Sequence, residues 1–156
     1  MCNTLIIFEK KLTMLLKDKV VIITGASRGI GKSIAQTCVN QGAKVAFTYL
    51  SSDEKARALE AELTAQGGVA VGFKSDASNF DQAHELVDRV VEQFGTVDVL
   101  VNNAGITRDT LMMRMTEEQW DEVINTNLKS AFNLTKAVIK PMLKARSGSI
   151  INMSSV

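Results

Sequence analysis

The sequence predicts an α/β domain: a Rossmann-like, doubly wound parallel sheet of five strands with helices on both faces, incomplete at its C-terminal side. Short β-branched apolar runs alternate with helical stretches along the whole chain, and glycines mark most of the boundaries. The composition is that of an ordinary globular chain, 46% hydrophobic and 22% charged over 156 residues, so a packed core is within reach.

Lys19 to Thr24 is an apolar run that feeds directly into the glycine-containing turn Gly25 to Gly31, the pattern of a buried strand entering a helix. That helix is expected to reach Asn40, with Gly42 breaking the chain behind it. Lys44 to Tyr49 repeats the strand pattern, and Ser51, Ser52 and Asp53 offer capping groups for a helix through Gln66, ended by Gly67 and Gly68. Val69 to Phe73 reads as a third strand. The next helix is the clearest of all, because Phe80, Ala83, Leu86, Val87, Val90, Val91 and Phe94 fall on one stripe that Gly95 closes. Val97 to Val101 is a fourth strand. After an irregular stretch, Trp120, Val123, Ile124, Asn127, Leu128, Ala131 and Thr135 mark a long helix toward Lys144, which Pro141 is expected to bend or end. Ile150 to Met153 is the fifth strand.

Eighteen Lys and Arg against 17 Asp and Glu leave a net charge of +1 at pH 7, which argues against a nucleic-acid partner and for a small-molecule one. No apolar run approaches the roughly 18 residues of a membrane span, and Leu5 to Phe8 is too short for a secretory signal, so a cytoplasmic protein without a membrane partner is expected. Cys2 and Cys38 have no Cys or His neighbours at ligand spacing, so no metal site is expected. His84, the single histidine, falls on the polar side of its helix and reads as a surface residue.

Ligands of such sheets bind beyond the carboxyl ends of the strands, which directs attention to the residues after each apolar run. After the first run, Gly25-Ala26-Ser27-Arg28-Gly29-Ile30-Gly31 spaces its glycines G-x-x-x-G-x-G at a strand-to-helix junction. Missing Cβ atoms let the backbone approach a pyrophosphate, and the helix N-terminus offers unpaired N–H groups and partial positive charge. A ligand-free tight turn is the plainer alternative. Gly31-Lys32-Ser33 also imitates the end of a phosphotransferase P-loop, but that motif needs glycine where Ala26 stands, and Asp98 sits near the start of its strand instead of the end. The second strand ends Phe47-Thr48-Tyr49 without the carboxylate that holds an NAD ribose. With Thr48 able to hydrogen-bond and Arg28 able to pair with a 2′-phosphate, NADP(H) is the expected cofactor; a solvated Arg28 is the alternative.

The glycine turn, Asn102-Asn103-Ala104-Gly105, Asn127 within Ile124 to Leu128, and Ile150-Ile151-Asn152-Met153-Ser154-Ser155 together resemble the short-chain dehydrogenase/reductase family from Leu15 to Val156. Within it, Asn102 to Met115 and Trp120 to Lys129 are similar to the β-ketoacyl-acyl-carrier-protein reductases of fatty-acid synthesis. The resemblance implies cofactor contacts from Gly25, Ser27, Arg28, Gly29, Ile30, Gly31 and Thr48, from Asp76 near the adenine, and from Asn103, Ala104 and Gly105. It implies catalytic roles for Asn127 and for Ser155, whose hydroxyl would stabilise developing oxyanion charge. Read without the family, Asn127 is a buried amide meeting backbone groups, and either serine hydroxyl is a turn or cap contact. Arg146 matches a basic position suited to acyl carrier protein, although a solvated arginine explains it equally well.

The family's general acid stands in a Tyr-x-x-x-Lys motif beyond the serine, and the only tyrosine here is Tyr49. The expected reading is a parent enzyme that reduces a 3-oxoacyl thioester on acyl carrier protein with NADPH, the 156-residue chain itself having little turnover. A non-catalytic nucleotide-binding fragment is the alternative, and a P-loop phosphotransferase a distant third. Residues 1–13 read as an N-terminal extension before Met14, and residues 14–156 as one dinucleotide-binding domain truncated after the fifth strand. An open fifth strand and an uncovered Trp120 to Lys144 helix are then expected to drive homo-oligomerisation.

Overall fold

The computed structural model describes residues 14–154; the expected extension at 1–13 and Ser155 lie outside the described residues. In chain order the elements are β1 (Val20–Ile23), α1 (Gly29–Asn40), β2 (Lys44–Tyr49), α2 (Asp53–Ala65), β3 (Val69–Lys74), α3 (Phe80–Phe94), β4 (Val99–Asn102), α4 (Glu117–Ile124), α5 (Ser130–Ala145) and β5 (Ser149–Asn152). The sheet is parallel throughout, in the order β3-β2-β1-β4-β5. The chain therefore builds outward from β1 to β3 and then returns to lay β4 against the other side of β1. That reversal opens a crevice at the carboxyl ends of β1 and β4.

β1 shows why the strands are nearly continuous apolar runs. Val20 and Ile22 join one core, with Leu86, Val90, Leu134 and Val138 of α3 and α5, while Val21 and Ile23 join the other, with Val39, Leu59 and Leu63 of α1 and α2. Side chains alternate faces along a strand, and both faces here are covered. Lys19 and Asp98 tie the opposite, amino-terminal rim: Lys19 Nζ and the Val20 N–H donate to the two oxygens of Asp98, each at 2.9 Å.

Local signals were obeyed unevenly. Asn79 caps α3 through its side chain, and Gly95 ends that helix in the left-handed conformation at φ 86°. Ser52 occupies the N-cap of α2, yet its hydroxyl makes no capping bond. Thr116 and Gln119 form a reciprocal capping box at α4. Pro141 does not end α5, which continues through it to Ala145 because Ala137, Val138 and Met142 stay buried on the α3 side.

The expected long helix is present as α4 and α5 joined by a π-helical turn, Asn125–Lys129. Its apolar stripe departs from expectation: Trp120 is already exposed, and no residue of α4 is fully buried. Leu128 is exposed, and the buried face runs instead through Ser130, Asn133, Leu134, Ala137, Val138 and Met142. A wider turn advances the helix phase by up to about 100° per extra residue, so a stripe extrapolated at constant period drifts off the core. β5 lies at the sheet edge, exposed along its whole length.

Candidate functional site

The crevice is a cleft of about 580 Å³, and all the cofactor residues expected from sequence line it: Gly25, Ser27, Arg28, Gly29, Ile30, Gly31, Thr48, Asp76, Asn103, Ala104 and Gly105. They come from four separate strand ends. A shallow groove of similar size along α1 shares only Gly29 and Ile30 with it and is lined mainly by apolar surface.

Two of the three glycines in the turn do different work. Gly29 has φ +58°, and a Cβ there would meet no atom within 4 Å, so its bareness leaves backbone open toward the cleft. At Gly31 a Cβ would lie 2.6 Å from Asn103 Nδ2 and 2.8 Å from the Gly25 carbonyl oxygen, so its bareness lets α1 close onto β4. Asn103 Nδ2 in turn donates to the Thr24 and Gly25 carbonyls at 2.8 and 3.3 Å. The Thr24 hydroxyl accepts from the Asn103 and Ala104 N–H groups at 2.9 and 2.8 Å.

Thr48 is only 3% exposed, and its hydroxyl accepts from the Gly25 N–H at 3.2 Å. It braces the turn. Arg28, exposed at the N-cap of α1, stands where the helix presents its N-terminal N–H groups without any acidic residue in the first turn. An anion fits that position on charge and on backbone access.

A family model described as short chain dehydrogenase matches residues 19–156. The chain belongs to that family. It is 48% identical over 139 residues to the 3-oxoacyl-[acyl-carrier-protein] reductase FabG of Staphylococcus epidermidis, covering 89% of this chain and 57% of the relative. The identity is 48% over 141 residues with the 3-oxoacyl-[acyl-carrier-protein] reductase of Synechocystis, covering 90% and 57%. With the FabG reductase of Chlamydia trachomatis it is 50% over 143 residues, covering 91% and 57%. The chain thus spans little more than half the length of these relatives.

In this member of the family, Asn127 sits within the π-helical turn, a common accompaniment of functional sites. Its amide forms a two-bond clamp, with Oδ1 accepting from the Ile106 N–H at 2.8 Å and Nδ2 donating to the Ile106 carbonyl at 2.9 Å. It meets backbone groups, as the plainer sequence reading has it, but from an exposed position and not from the core. Arg108 forks onto the Glu122 carboxylate through Nε and Nη2, tying the same loop to α4. Asp76 follows β3, and its Oδ1 accepts from the Ser78 N–H and hydroxyl at 2.9 and 2.7 Å. β5 brings Met153 to the same rim, its N–H donating to the Asn102 carbonyl at 2.9 Å, and Ser154 stands exposed just beyond.

Of the expected catalytic pair, Asn127 does not line the cleft and Ser155 lies outside the described residues; Arg146, Lys32 and His84 also stand away from it. Arg146 caps α5 at φ 50°, on the amino-terminal rim away from the cleft. Lys32, the residue a P-loop would aim at phosphate, instead donates to Glu62 of α2 at 2.8 Å, and Asp98 lies on the far rim. That hydrogen bond, with a second from Gln36, holds the Glu62 carboxyl below the usual range. Burial and then the neighbouring Asp53 push the Tyr49 hydroxyl above its ordinary pKa. His84 stacks on Phe80 at 4.2 Å, with Nδ1 at 2.9 Å from the Phe80 carbonyl, and does not line the cleft. Sequence reasoning assigned no role to Thr24 or Asn102, although both stand in the motifs it singled out; Asn102 Nδ2 donates to Asn152 Oδ1 at 2.8 Å and so joins β4 to β5.

Among the described residues, no cluster of three or more His, Cys, Asp or Glu could hold a metal, and no helix is long and apolar enough to cross a membrane.

Proposed function

We propose that this chain forms the coenzyme cleft of an NADPH-dependent 3-oxoacyl-thioester reductase, acting in the cytoplasm on a thioester of acyl carrier protein. One observation supports it above the rest: the glycine turn meets Asn103 and Ala104 at the sheet's reversal point, with Gly29 bare toward the cleft. The relatives' names supply the thioester. Gly25, Ser27, Gly29, Ile30 and Gly31 hold the pyrophosphate against the start of α1. Arg28 pairs with the 2′-phosphate, because the end of β2 offers Thr48, Tyr49 and Leu50 there and no carboxylate. The nearest acidic side chain along the chain, Asp53, is paired with Lys74 at 3.2 Å. Asp76 takes the adenine end, and Asn103, Ala104 and Gly105 flank the remainder.

Bound NADPH would supply the hydride that adds to the 3-oxo carbon. Ser155 donates a hydrogen bond to the carbonyl oxygen as charge develops on it. Asn127 fixes the Gly105-Ile106 backbone beside that centre through its two-bond clamp. Tyr49, at the end of β2 beside the place taken for the 2′-phosphate, is not positioned to supply the proton that the product oxygen needs. The 156-residue chain is therefore expected to bind coenzyme with negligible turnover. Arg146, away from the cleft, is left to contact acyl carrier protein from the surface, and a homo-oligomer covers the exposed helix.

Titration with NADPH, NADH and ATP by calorimetry and nicotinamide fluorescence tests this reading. NADPH should bind tightest; ATP binding tightest would sink the reductase in favour of a phosphotransferase. An acetoacetyl-thioester assay then separates an enzyme from a nucleotide-binding fragment.

A further inference from the structure

Asn133 is fully buried, at 0% exposure, on the face of α5 that packs against α3. An amide taken out of water needs partners for its polar atoms, and leucine would fill the same space without that demand. Asn133 spends both amide protons on one target: Nδ2 donates to the Ala77 and Ser78 carbonyls, each at 3.0 Å. Its Oδ1 has no partner among the described residues. The side chain holds its place despite an orphaned acceptor, which gives the two donated bonds their weight. What they grip is the connection between β3 and α3, the segment that carries Asp76 on the cleft wall.

Ser78 is the link between the two. Its N–H and hydroxyl both donate to Asp76 Oδ1, which fixes the carboxylate and leaves Oδ2 outside the described hydrogen bonds. Its carbonyl is held from the other side by Asn133. A displaced Ser78 would turn the carboxylate with it.

We propose, resting on the coenzyme reading above, that Asn133 is a positioning residue for the purine end of the coenzyme. It touches no part of the ligand and acts through Ser78 to present Asp76. Asn127, earlier on the same helical run, holds Ile106 by separate bonds, so the two ends of the cleft are braced independently.

The test is calorimetry on Asn133→Leu and the unmutated protein, with NADPH, with 2′,5′-ADP as the purine half and with reduced nicotinamide mononucleotide as the other half. The variant should lose about tenfold in affinity for NADPH and 2′,5′-ADP and keep its affinity for the mononucleotide. Unchanged 2′,5′-ADP affinity, or equal losses for all three ligands, would overturn the proposal, the latter by exposing a merely structural role. Should the variant not fold, nuclear magnetic resonance of the unmutated protein decides instead: 2′,5′-ADP should shift the Asn133 side-chain amide signals and slow their exchange, and no response refutes the link. If the unmutated protein binds neither NADPH nor 2′,5′-ADP, the coenzyme reading fails and this inference falls with it.

Discussion

Gly29 and Gly31 stand two residues apart and should respond to alanine in opposite ways. At Gly31 the new methyl would overlap Asn103 and the Gly25 carbonyl, both fixed by the β1 to β4 contact, so Gly31→Ala should destabilise the fold by about 2 kcal/mol or more. At Gly29 the methyl meets open space, and only the positive φ is strained, at about 1 kcal/mol. Yet Gly29→Ala should abolish NADPH binding, because the methyl occupies the approach of the pyrophosphate. Thermal denaturation beside an NADPH titration checks both; a Gly29→Ala protein that binds normally would remove the glycine turn from the site. Asn127→Ala breaks both bonds to Ile106 and should lower stability by about 1–2 kcal/mol, read from the denaturant midpoint.

Among elements, the α1 to α2 contact carries a titratable staple. Glu62 accepts from Lys32 and Gln36, and these bonds lower its pKa in the folded state. A carboxyl with a depressed folded pKa adds stability that is fully present above its unfolded pKa and disappears as pH falls through the folded value. The loss should therefore begin near pH 4.5 and continue below it. Glu62→Gln should remove that small contribution at neutral pH and so flatten the acid limb when melting temperature is followed from about pH 6 to about pH 3, the two proteins converging at the acid end. An acid limb identical to the parent's would assign the acid sensitivity to other carboxylates, such as Asp53 and Glu122, whose pKa values are also held low.

At the scale of the molecule, one helical run presents a stripe of exposed apolar side chains. Leu128, Phe132, Ile139 and Leu143 are 65%, 58%, 44% and 72% exposed and recur at helical spacing along the π turn and α5. Such a stripe favours association. The parent chain should sediment as a dimer or larger at micromolar concentrations, and Phe132→Glu should shift it toward monomer in analytical ultracentrifugation. A parent that stays monomeric would show that this face needs no cover. The open β5 edge adds a second route to association, and β3, the other edge, is partly blunted because the Gly72 N–H donates to Glu60 at 3.2 Å.

Strand and helix order, the parallel sheet and the residues of the glycine turn were legible in the sequence because each depends on local pattern: apolar runs, stripes of 3.6-residue period and glycines at strand ends. From that order the carboxyl rim could be named as the place to look, and the coenzyme residues named there do line one cleft. Other features required contacts between distant segments. The π turn shifted the buried face of α5, and a constant helical period carries no sign of such an insertion. Thr48 reads only as a ligand donor in sequence, and the fold adds that its hydroxyl also accepts from the Gly25 N–H; Lys32 imitates the end of a P-loop in sequence, and the fold presents Glu62 of α2 to it. Asn133 shows no motif at all, since its meaning lies in two carbonyls more than fifty residues away. The sequence by itself determined which backbone shapes and side chains were on offer. Only the tertiary structure decided which polar groups face the cleft and which are consumed holding it open, because a hydrogen bond between remote segments is set by packing and not by spacing along the chain.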